Sequence, residues 1–176
     1  TVLLKNENQL LPLDTKSLKS IAIIGPNADQ VQFGDYTWSR NNKDGVTPLQ
    51  GIKNRVNKNT AIHYAKGCSL TSLDTSGIAE AVEAAKNSEV AVIFGGSASA
   101  ALARDYKSST CGEGFDLNDL NLTGAQSQLI REVYRTGTPV ILVLVTGKPF
   151  VIEWEKNNLP AILVQWYAGE QAGNSI

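Results

Sequence analysis

The sequence predicts an α/β fold: a three-layer sandwich with a mostly parallel open sheet and helices on both faces. Three observations predict it. Short apolar runs recur, each closed by turn residues. They are apolar at every position rather than at alternate ones, which suits strands covered on both sides. Between them lie segments with helical spacing, and strand alternating with helix indicates parallel pairing.

The strands come in order. Ser20-Ile21-Ala22-Ile23-Ile24 runs into Gly25-Pro26-Asn27. Ala61-Ile62-His63-Tyr64-Ala65 is a weaker strand. Val90-Ala91-Val92-Ile93-Phe94 runs into Gly95-Gly96, and Val140 to Val145 runs into Thr146-Gly147-Lys148-Pro149. Ala161 to Trp166 runs into Tyr167-Ala168-Gly169, and the opening Thr1-Val2-Leu3-Leu4-Lys5 is itself strand-like. A helix starting at Pro48 and reaching Arg55 follows from the preference of Pro for the first turn. Ser76 to Lys86 carries Ile78, Val82 and Ala85 at helical spacing, with Asp74 or Ser76 as cap. Thr123 and Gln126 have capping-box spacing before the apolar face of Leu129, Ile130 and Val133, and Gly137 supplies the stop. A last helix is expected over Phe150 to Lys156.

Composition narrows the function classes. The chain has 176 residues, enough for one domain with a substantial core. It holds 16 Lys+Arg against 17 Asp+Glu, so it lacks the basic excess of a dedicated nucleic-acid or anionic-membrane binder. The run Val140 to Val145 is far short of the roughly 20 apolar residues of a membrane helix. Cys68, Cys111 and the lone His63 are scattered, which is not a zinc arrangement. One disulfide or two free thiols both fit this pattern. The chain has no Met, opens on Thr1 and closes on Gly173-Asn174-Ser175-Ile176, so both ends read as cut from something longer.

In a parallel sheet, ligands meet the loops after the carboxyl ends of the strands. Those loops are Gly25 to Lys43, Gly95 to Asn121, Gly147 to Phe150 and Tyr167 to Gly173. The first two are long enough to be functional. Gly25-Pro26-Asn27-Ala28 lacks the glycines of a dinucleotide loop, and Gly95-Gly96-Ser97 lacks the Lys of a phosphate loop. His63 sits inside a strand and no Gly-x-Ser-x-Gly elbow exists, which disfavours serine hydrolase chemistry. Gly112-Glu113-Gly114-Phe115-Asp116 is different. Glycines let the backbone approach a ligand closely, and a carboxyl held there can exchange a proton with a leaving oxygen. A solvated loop acid is the plainer reading of the same residues. In Phe33-Gly34-Asp35-Tyr36-Thr37-Trp38, the aromatic rings suit stacking on a sugar face or packing under the loop.

These segments resemble, in order and over essentially the whole chain, the second domain of glycoside hydrolase family 3. Thr1 to Leu13 is similar to that domain's opening, and Ile21 to Ala28 to its first buried strand and turn. Gly112 to Asp116, with Leu120-Asn121-Leu122 and Gln126, resembles the family's Gly-Glu-Gly-x-Asp segment. Val140 to Leu144 with Gly147 and Pro149, and Ala161 to Leu163 with Trp166-Tyr167, Gly169-Glu170 and Gly173, resemble its later strands. The likeness is to β-glucosidases first and β-xylosidase-like members next.

The resemblance implies a retaining β-glycosidase acting on terminal β-linked glucose or xylose of oligosaccharides or glycosides. It implies a nucleophilic Asp on a preceding (β/α)8-type barrel and a general acid/base on this domain. That residue is carried over as Glu113, with Trp38 and Tyr36 bordering the leaving-sugar subsite. Residues 1–176 then form one α/β domain, with the barrel of the same protein and a β-linked glycoside as partners. No metal or organic cofactor, nucleic acid or membrane is implied, and the isolated chain is expected to be inactive. Members that handle plant sugars are often periplasmic or secreted. Many members have Arg where this chain has Leu117, which removes one charge pairing but not the acid. A non-catalytic carbohydrate-binding or scaffolding domain of the same fold is the rival reading, and a flavodoxin-like ligand-binding domain is a third.

Overall fold

The computed structural model describes residues 1–39, 41–99, 110–113 and 118–176. Six strands form one sheet: β1 (Val2–Asn6), β2 (Ser20–Ile24), β3 (Ala61–Ala65), β4 (Val90–Gly96), β5 (Val140–Val145) and β6 (Ala161–Val164). The order across the sheet is β1-β6-β5-β4-β2-β3. All neighbours pair in parallel except β1, which runs antiparallel to β6 with a register shift between Leu3 and Lys5. The chain order reverses between β2 and β4, so the loops after these two strands flank one crevice.

The uniformly apolar strands are explained by two cores, one on each face. Ala22, Ile24, Ala91, Ile93, Leu142, Leu144 and Ile162 face one side. Ile21, Ile23, Val92, Phe94, Ile141, Val143 and Val145 face the other. Helices α2 (Ile78–Lys86), α3 (Gln126–Tyr134) and α4 (Glu153–Asn158) lie on the first side. They bury Ile78, Ala81, Ala85, Leu129, Ile130 and Val133 there, and Trp154 packs at the margin. Helix α1 (Pro48–Arg55) covers the second side through Leu49 and Ile52, together with Leu10, Leu11, Leu13 and Leu18. Each fully buried Ile or Leu contributes about 1.5–3 kcal/mol by leaving water, which is why the pattern dictates the layers.

Three helix boundaries depart from the sequence expectation. α1 starts as expected, with Pro48 first and the Thr47 hydroxyl accepting from Gln50 N–H at 3.2 Å. α2 starts two residues later than Ser76, behind Gly77, with no side-chain cap. The Asp74 carboxylate spends its acceptors on Ser76 instead, at 2.9 and 3.0 Å, and closes a turn before the helix. α3 starts at Gln126 rather than using it as a box residue. The Thr123 hydroxyl donates to Leu70 O, and the Gln126 amide crosses to β4. α4 begins at Glu153, not Phe150, because Phe150 and Ile152 pack into the core before the helical turn starts.

Candidate functional site

The crevice is built on the ends of β2 and β4. Gly25 has φ +114, and a Cβ there would lie 2.3 Å from Phe94 O, so only Gly lets β2 turn so close to β4. Asn27 then dives under the loop, fully buried. Its backbone N–H donates to Phe94 O at 3.1 Å and its side-chain amide to Gly95 O and Ser97 O at 3.3 Å each. Gln32 closes the set by donating to Asn27 Oδ1 at 2.7 Å. The loop after β2 is therefore stapled to the end of β4 before it reaches Asp35, Tyr36 and Trp38.

The loop is also braced from the far side. Asn42 accepts from Val31 N–H at 2.9 Å and donates to Asp29 O at 2.9 Å. The Thr37 hydroxyl bonds Gly34 O and Ser39 O, and the Ser39 hydroxyl bonds the Asp44 carboxylate. On this braced turn Tyr36 and Trp38 stand 82% exposed each. Packing under the loop falls instead to Phe33, which is buried, so the two rings are free to meet a ligand. Trp38 edges a shallow polar depression with Gln30, Asn41, Lys43 and Asp44.

The loop after β4 leaves through Gly96, φ +121, where a Cβ would lie 2.1 Å from Val145 O. The Gln126 side chain holds this glycine on both sides, accepting from its N–H at 2.7 Å and donating to its C=O at 3.0 Å. Ser97 follows, fully buried, bonding Thr146 Oγ1 at 3.0 Å and Tyr167 OH at 2.7 Å. The returning limb pairs back onto it. Thr110 N–H donates to Ala98 O at 3.0 Å, and Ser99 bridges Cys111 in parallel. Cys111 is buried with its sulfur 2.6 Å from Tyr167 OH. Burial, then the bond to Cys111, pushes the Tyr167 phenol well above its ordinary range, so it stays a neutral hydrogen-bonding group. Cys68 is also buried and free, its thiol pushed up to about 11 by burial.

Gly112 (φ +134) turns the chain outward, and Glu113 emerges exposed to solvent. Its backbone N–H donates to Asp35 Oδ2 at 2.6 Å, and the other Asp35 oxygen accepts from the Ser99 hydroxyl. This carboxylate joins the two long loops. The structure thus brings Glu113 to the Asp35–Tyr36 turn, while Trp38 faces its own depression. Asp116 and Leu117 lie outside the described residues, as does Arg40. Among the described residues no three His, Cys, Asp or Glu gather as metal ligands, and no helix is long and apolar enough to cross a membrane. Sequence reasoning missed Asp35, Asn27 and the Ser97–Cys111–Tyr167 cluster. Asp35 bonds partners 64 and 78 positions away, and the cluster likewise joins residues far apart in the chain, so neither leaves a local signal. Chemically, one exposed carboxyl on a braced turn can give and take a proton. A displacement needing two carboxyl groups would draw the second from elsewhere.

The fold as a whole has counterparts among known proteins. Residues 1–176 match the family profile described as the glycosyl hydrolase family 3 C-terminal domain. A β-xylosidase of Formosa agariphila is 40% identical over 99% of this chain and 24% of that protein. A periplasmic β-glucosidase of Salmonella typhimurium is 35% identical over 99% of this chain and 24% of that protein. A β-glucosidase structure from Listeria innocua, with isofagomine, superposes with TM-score 0.80 at 27% identity, over 98% of this chain and 22% of that one. The chain spans 24% of the length of these two curated relatives.

Proposed function

Since the chain belongs to glycoside hydrolase family 3, we propose that residues 1–176 act as the α/β domain of a retaining β-glycosidase, paired with a barrel domain that carries the nucleophile. The substrates are oligosaccharides or glycosides ending in β-linked glucose or xylose, the sugars named for the relatives. Glu113 is the general acid/base. One observation carries this reading: Glu113 is an exposed carboxyl on a turn whose backbone is fixed at the mouth of the β2 and β4 loops.

The chemistry follows in two steps. As the nucleophile attacks the anomeric carbon, the leaving oxygen gains charge, and Glu113 gives it a proton. The same carboxylate then removes a proton from the water that attacks the glycosyl-enzyme. Glu113 is exposed in this chain, and an apposed barrel would close bulk water off from it. Tyr36, on the turn that holds Glu113, and Trp38, at its own depression, are assigned to the leaving-group side because both rings are exposed and offer an apolar face to a sugar.

The test is Glu113→Ala in the full-length enzyme, compared across aryl and alkyl β-glycosides. General acid catalysis contributes roughly 10²–10⁴-fold. We expect kcat/KM to fall by that order for alkyl leaving groups and to change little for dinitrophenyl. Equal loss for both would remove the acid role.

A further inference from the structure

Resting on the assignment of Glu113 as proton donor, we propose that Asp35 is the residue that positions it, by clamping the Glu113 backbone to the loop after β2. The need for a clamp is visible in the chain just before Glu113. Cys111 is a fixed point: it is buried, bridged to Ser99 and bonded through sulfur to Tyr167. Gly112 comes next at φ +134, a region that glycine enters and leaves at no steric cost. A glycine hinge after a fixed point leaves the direction of the next residue open. The first bond beyond the hinge is the one from Glu113 N–H to Asp35 Oδ2, at 2.6 Å.

Asp35 suits this role for three reasons. Its carboxylate has two acceptor oxygens and uses both, one on Glu113 N–H and one on the Ser99 hydroxyl. Those donors sit on the outgoing and returning limbs of the β4 loop, so one side chain fixes both limbs to each other and to the β2 loop. Hydrogen bonds to an ionised acceptor are shorter and roughly twice as strong as neutral ones. Finally, Asp35 stands on a firm base. Gln32 is tied to buried Asn27, Phe33 is buried, and the Gly34 carbonyl is capped by Thr37. The path from the sheet to the acid therefore runs through β2, Asn27, Asp35 and the Glu113 amide. Asp35 need not touch the substrate, and it acts through where it holds Glu113.

The experiment uses the full-length enzyme with Asp35→Ala, Asp35→Asn and Glu113→Ala side by side. For each, kcat/KM is measured on a dinitrophenyl and an alkyl β-glycoside, together with Tm. Displacing a catalytic group by about 1 Å costs on the order of 100-fold. Asp35→Ala should therefore lose roughly that factor on the alkyl glycoside and little on the dinitrophenyl one. Asp35→Asn should restore most of the alkyl rate, because an amide offers an oxygen to Glu113 N–H and an N–H to Ser99 Oγ. Four results overturn the proposal. Equal loss by Asp35→Ala on both substrates means a general structural role. No loss by Asp35→Ala beside a leaving-group-dependent loss by Glu113→Ala rejects the clamp and leaves the acid standing. An Asp35→Asn variant as poor as Asp35→Ala rejects the geometric clamp. A uniform loss by Glu113→Ala rejects the acid assignment and the clamp with it.

Discussion

At the mouth of the crevice, buried amides hold backbone and exposed rings and carboxyls face outward. Asn27 shows the first kind: its side chain bonds Gly95 O, Ser97 O and Gln32, and none of it reaches solvent. Trp38 shows the second, 82% exposed on a braced turn. If Trp38 stacks on the leaving sugar, Trp38→Ala should raise KM for a disaccharide by about 2- to 10-fold and leave an alkyl monoglycoside nearly unchanged. That factor corresponds to the about 0.5–1.5 kcal/mol typical of specific ring contacts. Steady-state kinetics on the two substrates checks it. Cys68 gives a residue-scale test of burial. With a thiol near 11, only about a thousandth is thiolate at pH 8, so iodoacetamide should label it slowly until denaturant is added. Mass spectrometry of the labelled peptide reads the outcome.

At the scale of elements, the strands were legible because their apolar runs are continuous, and both faces of β2, β4 and β5 are buried. The helix starts were harder to place. Thr123 and Gln126 have the spacing of a capping box, yet Gln126 is worth more to the fold as a brace on β4. Gly96 needs φ +121 beside Val145, and the amide satisfies its N–H and C=O together. Local spacing could not reveal this, because the partner lies 30 residues away. Replacing Gln126 by Ala leaves these buried backbone groups unpaired and should cost about 1–3 kcal/mol in urea denaturation. Leu129→Ala on the same helix opens a cavity at a position 1% exposed and should cost about 2–5 kcal/mol. Asp35 was likewise hidden: its two bonds span 64 and 78 residues, and nothing in Gly-Asp-Tyr announces them.

For the molecule as a whole, the order of segments along 176 residues carried more information than any one of them. The Glu between glycines reads alone as a solvated acid, and only its place after β4, opposite the β2 loop, makes it a candidate for the proposed acid/base. Stability should decline on the alkaline side. Cys68 and Tyr167 both have raised folded values, from burial first, so the folded state holds their protons longer than the unfolded chain does. That contribution is intact below pH 9 and is lost as pH rises through about 11 for Cys68 and beyond for Tyr167, so Tm should fall over that window. Because one carboxyl cannot perform a two-carboxyl displacement, the 176-residue chain alone should not turn over an aryl β-glucoside. The most direct measurement is azide rescue of Glu113→Ala in the full-length enzyme. Azide needs no base and attacks the glycosyl-enzyme from the face that water would use. With Glu113 as the acid/base, azide should accelerate turnover of a dinitrophenyl β-glycoside, and the product should be the β-glycosyl azide. No acceleration, or an α-configured azide, would contradict that role.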